Sequence, residues 1–161
     1  MFAFAAKFGI IGGAAVVALQ AVTLAIGADP LPVINSLIMV GALVWGQWAY
    51  RQAGDPPISY GETFGLGILV LVCFNAIALL YTLVLWNLID PGITERVIAQ
   101  AEDAIRQQGL PDDQVQAAMD IQKLLIGPVA TPIMGFVSSM LIGTLIALIT
   151  SIFTKNNNAA S

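Results

Sequence analysis

The chain contains no histidine, a single cysteine and few charged residues. Histidine is the commonest metal ligand and the side chain that most readily carries a proton near neutral pH, so its absence removes many metal, haem and acid–base sites together. The one cysteine, Cys73, lies in an apolar stretch, so it forms no disulfide within the chain and is most simply a small core residue. We expect no cofactor, no metal site and no catalytic residues, and predict that the protein is not an enzyme.

Basic residues are scarce as well. Six Lys and Arg stand against ten Asp and Glu, which gives a formal net charge of −4. No two bases are adjacent in the sequence. Binding to a phosphate backbone depends on clustered Lys and Arg side chains. We therefore expect no nucleic-acid partner.

What the chain has instead is apolar sequence. Hydrophobic residues make up 58% of it and charged residues only 10%, whereas soluble domains carry about a quarter charged residues. A bilayer core roughly 30 Å thick is spanned by about 20 apolar residues in a helix. Four segments meet that length, at about residues 8–27, 31–50, 64–86 and 132–153. They predict one all-α integral membrane domain over residues 1–161, a four-helix bundle in the lipid bilayer with a polar tail at 154–161.

The ends of the predicted spans carry turn and capping signals. The first two spans are joined by Asp-Pro-Leu-Pro at 29–32, a turn short enough to make them an antiparallel hairpin. The fourth begins where Thr131 can cap a helix and Pro132 can take its first position. The first segment also resembles a secretory signal peptide, since Lys7 precedes its apolar run and small residues end it. We interpret it as a retained span.

The distribution of bases predicts the orientation. Lys7, Arg51 and Lys155 fall on one side of a four-span chain, and bases close to span ends favour the cytoplasmic side. Three further bases lie in the connection at 90–128, so the bias is small. We predict that the N- and C-termini are both cytoplasmic.

Residues 90–128 hold most of the charge and are predicted to form an extramembrane helical segment. Ile93, Val97, Ala101 and Ile105 recur every four residues as an apolar stripe, and a second helix is expected after Pro111. The segment reads as a helical hairpin or as an extension of spans three and four. We interpret its acids as a solvated face, because they lack the alternating ligands and glycine turn of a calcium loop.

Small residues at four-residue spacing mark candidate helix-packing surfaces. Such residues let two helix backbones approach closely in lipid. Gly9 and Gly13 begin one stripe in span one. The fourth span contains the longer stripe, formed by Gly135, Ser139, Gly143, Ala147 and Ser151. The spacing leaves open whether these stripes pack within the chain or against another chain.

Amide side chains in apolar surroundings are the candidate polar contacts. Gln20, Asn35, Gln47 and Asn75 are expected to turn inward and bond across helices or to the backbone, because an unpaired buried amide is costly. Asn75 is the deepest, and either helix packing or ligand contact would account for it. The predicted spans contain no Asp, Glu, Lys or Arg, so we do not expect this chain alone to transport ions or charged substrates.

Two short motifs at the connection between spans two and three resemble a known family. Residues 50–52 read Tyr-Arg-Gln, and residues 58–67 read Ile-Ser-Tyr-Gly-Glu-Thr-Phe-Gly-Leu-Gly. They resemble an uncharacterised bacterial membrane family called domain of unknown function forty-one ninety-nine, and the order and spacing agree from about Phe8 to Lys155. The resemblance implies the four-span topology and an inner-membrane location. It implies no activity.

The sequence leaves two main functions open. The first is a structural or accessory subunit that packs against other membrane proteins, or against itself, in a respiratory, photosynthetic or secretion complex. The second is a lipid or small-molecule protein with a pocket between the spans near Asn75 and Gln20. An intramembrane enzyme is a distant third, because Cys73 has no histidine to activate it.

Overall fold

The structure, a computed structural model, describes residues 1–27, 32–53 and 58–154, with no account of the side chain of Pro32. These residues are helical, with no strand among them, which confirms the all-α prediction. The six helices are α1 (Phe2–Ala25), α2 (Pro32–Ala53), α3 (Tyr60–Val84), α4 (Ile93–Arg106), α5 (Asp112–Leu125) and α6 (Ala130–Thr154), and a π-helical segment, Leu85–Ile89, continues α3. Most of the predicted turn at 29–32 lies outside the described residues, as do Lys155 and the rest of the polar tail.

Four helices are long and apolar enough to cross a membrane. They cover Phe2–Ala25, Val33–Ala53, Tyr60–Ile89 and Ala130–Thr154. The first helix begins six residues before the predicted span and includes Lys7. A lysine near the end of a span is compatible with this, because its aliphatic stem can lie along the helix while the ammonium group reaches water.

The start of α3 is set by a reciprocal cap. The Glu62 backbone N–H donates to Ser59 Oγ over 3.2 Å, and the Ser59 backbone N–H donates to Glu62 Oε2 over 2.9 Å. Each side chain thereby satisfies a backbone donor that has no partner inside the helix. The cap starts the helix at Tyr60, one turn before the apolar run that predicted its start at Phe64.

The start of α6 is held from within its first turn. Thr131 Oγ1 accepts from the Gly127 backbone N–H over 3.1 Å and donates to the Leu125 carbonyl over 3.4 Å. The helix begins at Ala130, one residue before the predicted cap. Thr131 therefore ties the last turn of α5 to the first turn of α6.

The chain divides into two compact units, one formed by Met1–Ala78 with Phe136–Ser161 and the other by Leu79–Gly135. The first unit contains α1, α2, most of α3 and most of α6. Its larger apolar core joins residues from all four helices, among them Val16, Leu43, Leu71 and Ala147. A second cluster, around Phe8 and Val70, lies between α1 and α3.

The second unit contains α4, α5 and the adjoining ends of α3 and α6. Its core is small and joins α4 to α5. Ile105 of α4 and Val115 and Met119 of α5 are buried there, with Ile98 and Ala118 packed beside them. The predicted α4 stripe thus contributes Ile105, while Ile98, which lies off that stripe, packs against the cluster.

Candidate functional site: helix-packing glycines and buried amides

The glycines of α1 bring its backbone directly against α3. A Cβ on Gly9 would lie 2.5 Å from Cys73 Cβ and 2.6 Å from the Val70 carbonyl oxygen. A Cβ on Gly13 would lie 3.0 Å from Ile77 Cβ. Any larger residue would force the two helices apart. The Gly9 and Gly13 stripe therefore lies in a contact within this chain.

Gly12, which the four-residue spacing did not select, lies in an equally close contact. A Cβ on it would lie 2.6 Å from Ala42 Cβ of α2 and 3.0 Å from a ring carbon of Phe74 in α3. Adjacent glycines in a helix face different neighbours, since each residue is rotated by about 100° from the last. The Gly12-Gly13 pair was the signal in the sequence that one turn of α1 contacts two helices.

Only part of the α6 stripe is buried. A Cβ on Gly143 would lie 2.7 Å from Leu71 Cδ2, and Ala147 and Ser151 are fully buried. Gly135 is exposed, and a Cβ on it would meet nothing within 4 Å. The half of the stripe after Gly143 therefore packs inside the first unit.

Ser139, in the middle of the stripe, contacts α2. Its hydroxyl donates to Met39 Sδ over 3.4 Å, a weak bond to a soft acceptor. Met39 is itself buried in the larger core. This contact and the one made by Ser151 both join α6 to α2.

Gln47 is the polar centre of the first unit. It is fully buried in α2, and its Nε2 donates to the Thr63 carbonyl of α3 over 3.2 Å and to Ser151 Oγ of α6 over 3.0 Å. Ser151 Oγ in turn donates to the Ala147 carbonyl over 2.6 Å. One amide therefore links three helices near the ends at which α3 begins and α2 and α6 end.

The orientation of the Gln47 amide follows from its partners. Carbonyl oxygens only accept, and the Ser151 hydroxyl has already given its proton to Ala147, so both neighbours require an N–H donor. A flipped amide would turn its oxygen toward two acceptors. In the orientation present, Gln47 Oε1 is buried without a hydrogen-bond partner in the described part of the chain.

Gly67 makes room for this amide. A Cβ at that position would lie 2.8 Å from Gln47 Nε2 and 3.2 Å from Ala147 Cβ. Gly67 was not selected from the sequence. It lies four residues after Thr63, one turn along the same face of α3. That spacing was the signal in the sequence that Gly67 and Thr63 face the same neighbours.

The other predicted amides lie in different surroundings. Asn75 is buried in α3, and its Nδ2 donates to the Leu71 carbonyl over 2.9 Å and to Met140 Sδ of α6 over 3.6 Å. Gln20 is half-buried in α1, where its backbone carbonyl accepts from Thr23 Oγ1. Asn35 is half-buried in α2. The structure brings Asn75 next to a neighbouring helix and does not bring it together with Gln47.

Exposed ion pairs join the elements of the second unit. Arg96 pairs with Asp90, which precedes α4. Arg106 pairs with Glu102 over 2.8 Å and lies 3.5 Å from Asp112 at the start of α5. The hydrogen bonds that Arg106 donates to the Glu102 carboxylate, together with the attraction of its charge, raise the pKa of Arg106 above its ordinary value. No group of three or more Cys, Asp or Glu side chains in the described ranges could hold a metal ion.

One face of α2 is largely exposed, although the Trp45 ring at its edge contacts Phe8 of α1. Leu37, Gly41, Trp45 and Trp48 recur at three- and four-residue spacing and are all exposed, Leu37 to 64% and Trp45 to 55%. A Cβ on Gly41 would meet nothing within 4 Å. We call this surface the Gly41 face. It is a shallow notch between large apolar side chains, which the sequence reasoning did not select.

Comparison with known proteins identifies the family. The family model described as protein of unknown function (DUF4199) matches residues 7–156. The chain belongs to this family, which confirms the resemblance found in the motifs at 50–52 and 58–67. No curated protein and no solved structure matches the chain.

Proposed function

We propose that this DUF4199 protein is a non-enzymatic accessory subunit of the bacterial inner membrane, inserted through α1, α2, α3 and α6 with both termini in the cytoplasm. Its partners are the lipid bilayer and the membrane helices of a larger assembly, such as a respiratory, photosynthetic or secretion complex. The length and apolarity of the four helices support insertion. The positions of Lys7 and Arg51 support the orientation.

The observation that carries the subunit role is the Gly41 face. Lipid chains gain nothing from a glycine on an exposed helix face, whereas a second helix gains close backbone contact there. Leu37 and Trp45 flank Gly41 one turn to either side. Buried aromatic side chains contribute strongly to protein interfaces. We propose that a single membrane helix of another protein packs against this notch.

The polar contacts inside the first unit agree with a structural role. Both protons of the Gln47 amide are used in bonds to other helices, and Asn75 Nδ2 bonds to Leu71 of its own helix and to Met140 of α6. A pocket near Asn75 and Gln20, the alternative function, has less support because Asn75 is engaged with Met140. We therefore place the functional surface on the outside of α2.

The test places a large side chain at Gly41. Gly41→Leu and the matched control Gly135→Leu are expressed at native level, extracted in mild detergent and separated on native gels with mass spectrometry of the migrating proteins. Both glycines have open space where a Cβ would lie, which makes the two substitutions comparable within the chain. We expect the wild type and Gly135→Leu to migrate within a larger complex and Gly41→Leu to migrate alone.

Four results would contradict the proposal. Wild-type protein that migrates as a lone chain would remove the subunit role. A complex that survives Gly41→Leu would place the contact elsewhere, and its loss in Gly135→Leu would move the contact to α6. A complex containing only copies of this chain would replace the foreign partner by a second copy.

A further inference from the structure

The last turn of α5 carries apolar side chains that no part of the second unit covers. Ile121 is 62% exposed, Leu124 is 80% exposed and Leu125 is 44% exposed. We call these three residues the α5 apolar patch. They lie away from Val115 and Met119, the α5 residues that pack against α4. The hydrophobic contact within the unit therefore accounts for one face of α5 and leaves this patch without a partner.

The α5 apolar patch lies beside the outer ends of two candidate spans. The Leu125 carbonyl accepts from Thr131 Oγ1 in the first turn of α6. Asn87 Nδ2, in the π-helical segment that ends α3, donates to the Pro128 carbonyl over 3.2 Å and to the Leu83 carbonyl over 2.8 Å. These bonds hold the end of α3, the end of α5 and the start of α6 together. The last turn of α5 consequently lies at the level where both spans end.

The charged residues of α5 also agree with a last turn that lies at the membrane surface. Asp112 and Asp113 lie in its first turn, and its one base, Lys123, lies in its last turn, on the opposite side of the helix from Ile121 and Leu125. A helical turn with apolar side chains on one side and a lysine on the other suits the boundary between acyl chains and lipid phosphates, since the apolar side enters the lipid and the ammonium group reaches the phosphates. The acids at the other end are suited to water.

We propose that the α5 apolar patch inserts into the interfacial layer of the bilayer on the non-cytoplasmic side, so that α5 ends in lipid rather than in solvent. This inference rests on the proposed membrane insertion of α3 and α6. The occupant of the patch is the lipid surface, with Lys123 against the lipid phosphates. Ile121, Leu124 and Leu125 then anchor the second unit to the membrane next to the spans that bear it.

Spin labels at single cysteines test the insertion. In a Cys73→Ala background, nitroxides are attached at Leu124→Cys, at Gln116→Cys and at Leu145→Cys, and the protein is placed in vesicles of phosphatidylethanolamine and phosphatidylglycerol. Gln116 is the matched control, an exposed α5 residue nearer the acidic end. Leu145, 62% exposed on α6, reports whether the span itself is in lipid. Collision rates with oxygen and with a water-soluble nickel chelate are measured at each site.

We expect the label at Leu124 to show an oxygen-to-nickel ratio severalfold above that at Gln116 and closer to that at Leu145. A ratio at Leu124 equal to that at Gln116, with oxygen dominant at Leu145, would overturn this inference and leave membrane insertion intact. Low access to both reagents at Leu124 would mean that protein covers the patch and would also overturn it. Nickel access at Leu145 would overturn the proposed membrane insertion, and this inference with it.

Discussion

Replacement of Gly9 by alanine should separate α1 from α3. The new Cβ would lie 2.5 Å from Cys73 Cβ and 2.6 Å from the Val70 carbonyl oxygen. Carbon atoms in favourable contact are about 3.5–4.0 Å apart, so the helices must move by roughly 1 Å or more. Neither opposing atom can rotate away, since one is fixed to the backbone and the other belongs to it. Overpacking of this kind costs about 1–3 kcal/mol of unfolding free energy.

Gly41→Ala is the matched control for this substitution. It makes the same chemical change in a membrane-length helix, but the new Cβ meets nothing within 4 Å. The gain in helix propensity, about 1 kcal/mol for glycine to alanine, applies to both variants and cancels in their difference. Gly9→Ala should therefore be less stable than Gly41→Ala by about 1–3 kcal/mol.

The assay is reversible unfolding in detergent micelles by titration with SDS. Tryptophan fluorescence reports the transition, since the Trp45 ring lies edge-on to the Phe8 ring, 5.3 Å between centroids, next to the substituted residue. A Gly9→Ala protein as stable as Gly41→Ala would refute the close α1–α3 contact. A loss of similar size in both variants would show that glycine matters for another reason.

Three further outcomes follow from the packing. Gly67→Ala should lower the unfolding free energy of the wild type, and lower it less in a Gln47→Ala background, because the new Cβ would meet Gln47 Nε2 at 2.8 Å. Additive losses of unfolding free energy in a double-mutant cycle would contradict that contact. Met119→Ala removes a buried side chain between α4 and α5 and should weaken their pairing by about 2–5 kcal/mol, whereas the exposed Gln114→Ala should not; amide hydrogen exchange in α4 and α5 measures the difference. Asn87→Ala should speed exchange at the backbone N–H groups of residues 126, 127 and 129–131, and unchanged exchange there would show that its bond to Pro128 does not hold the turn.

Long apolar runs and periodic stripes predicted the helices, because both depend only on local sequence. The four membrane-length helices follow from run length, and α4 and α5 follow from apolar residues at helical spacing. Helix starts were less accurate where polar residues decide them. Ser59 and Glu62 add a turn to α3, and a criterion based on hydropathy gives such residues no weight.

The surroundings of each small residue could not be read from spacing. Gly143 and Gly135 belong to the same four-residue pattern, yet one lies against Leu71 and the other is open. The difference arises from a residue more than sixty positions away in the chain, which local sequence does not encode. Gly9 depends in the same way on Val70 and Cys73.

The buried amides show the same limit. A glutamine and an asparagine in apolar helices both predict hydrogen bonds, and both make them. Spacing could not predict that Gln47 would join three helices while Asn75 would bond to its own helix and to Met140. Nor could it predict that Gln47 Oε1 would be left without a partner in the described residues. Such outcomes depend on which helices become neighbours.

The most direct test of the membrane account is cysteine accessibility in cells. In a Cys73→Ala background, Gln52→Cys lies at the cytoplasmic end of α2 in the proposed topology, and Gln108→Cys lies between α4 and α5 on the opposite side. A membrane-impermeant maleimide is added to spheroplasts before and after permeabilisation. The account predicts that Gln108→Cys is labelled at once and Gln52→Cys only after permeabilisation. Labelling of both before permeabilisation, or of neither, would contradict four spans in this orientation.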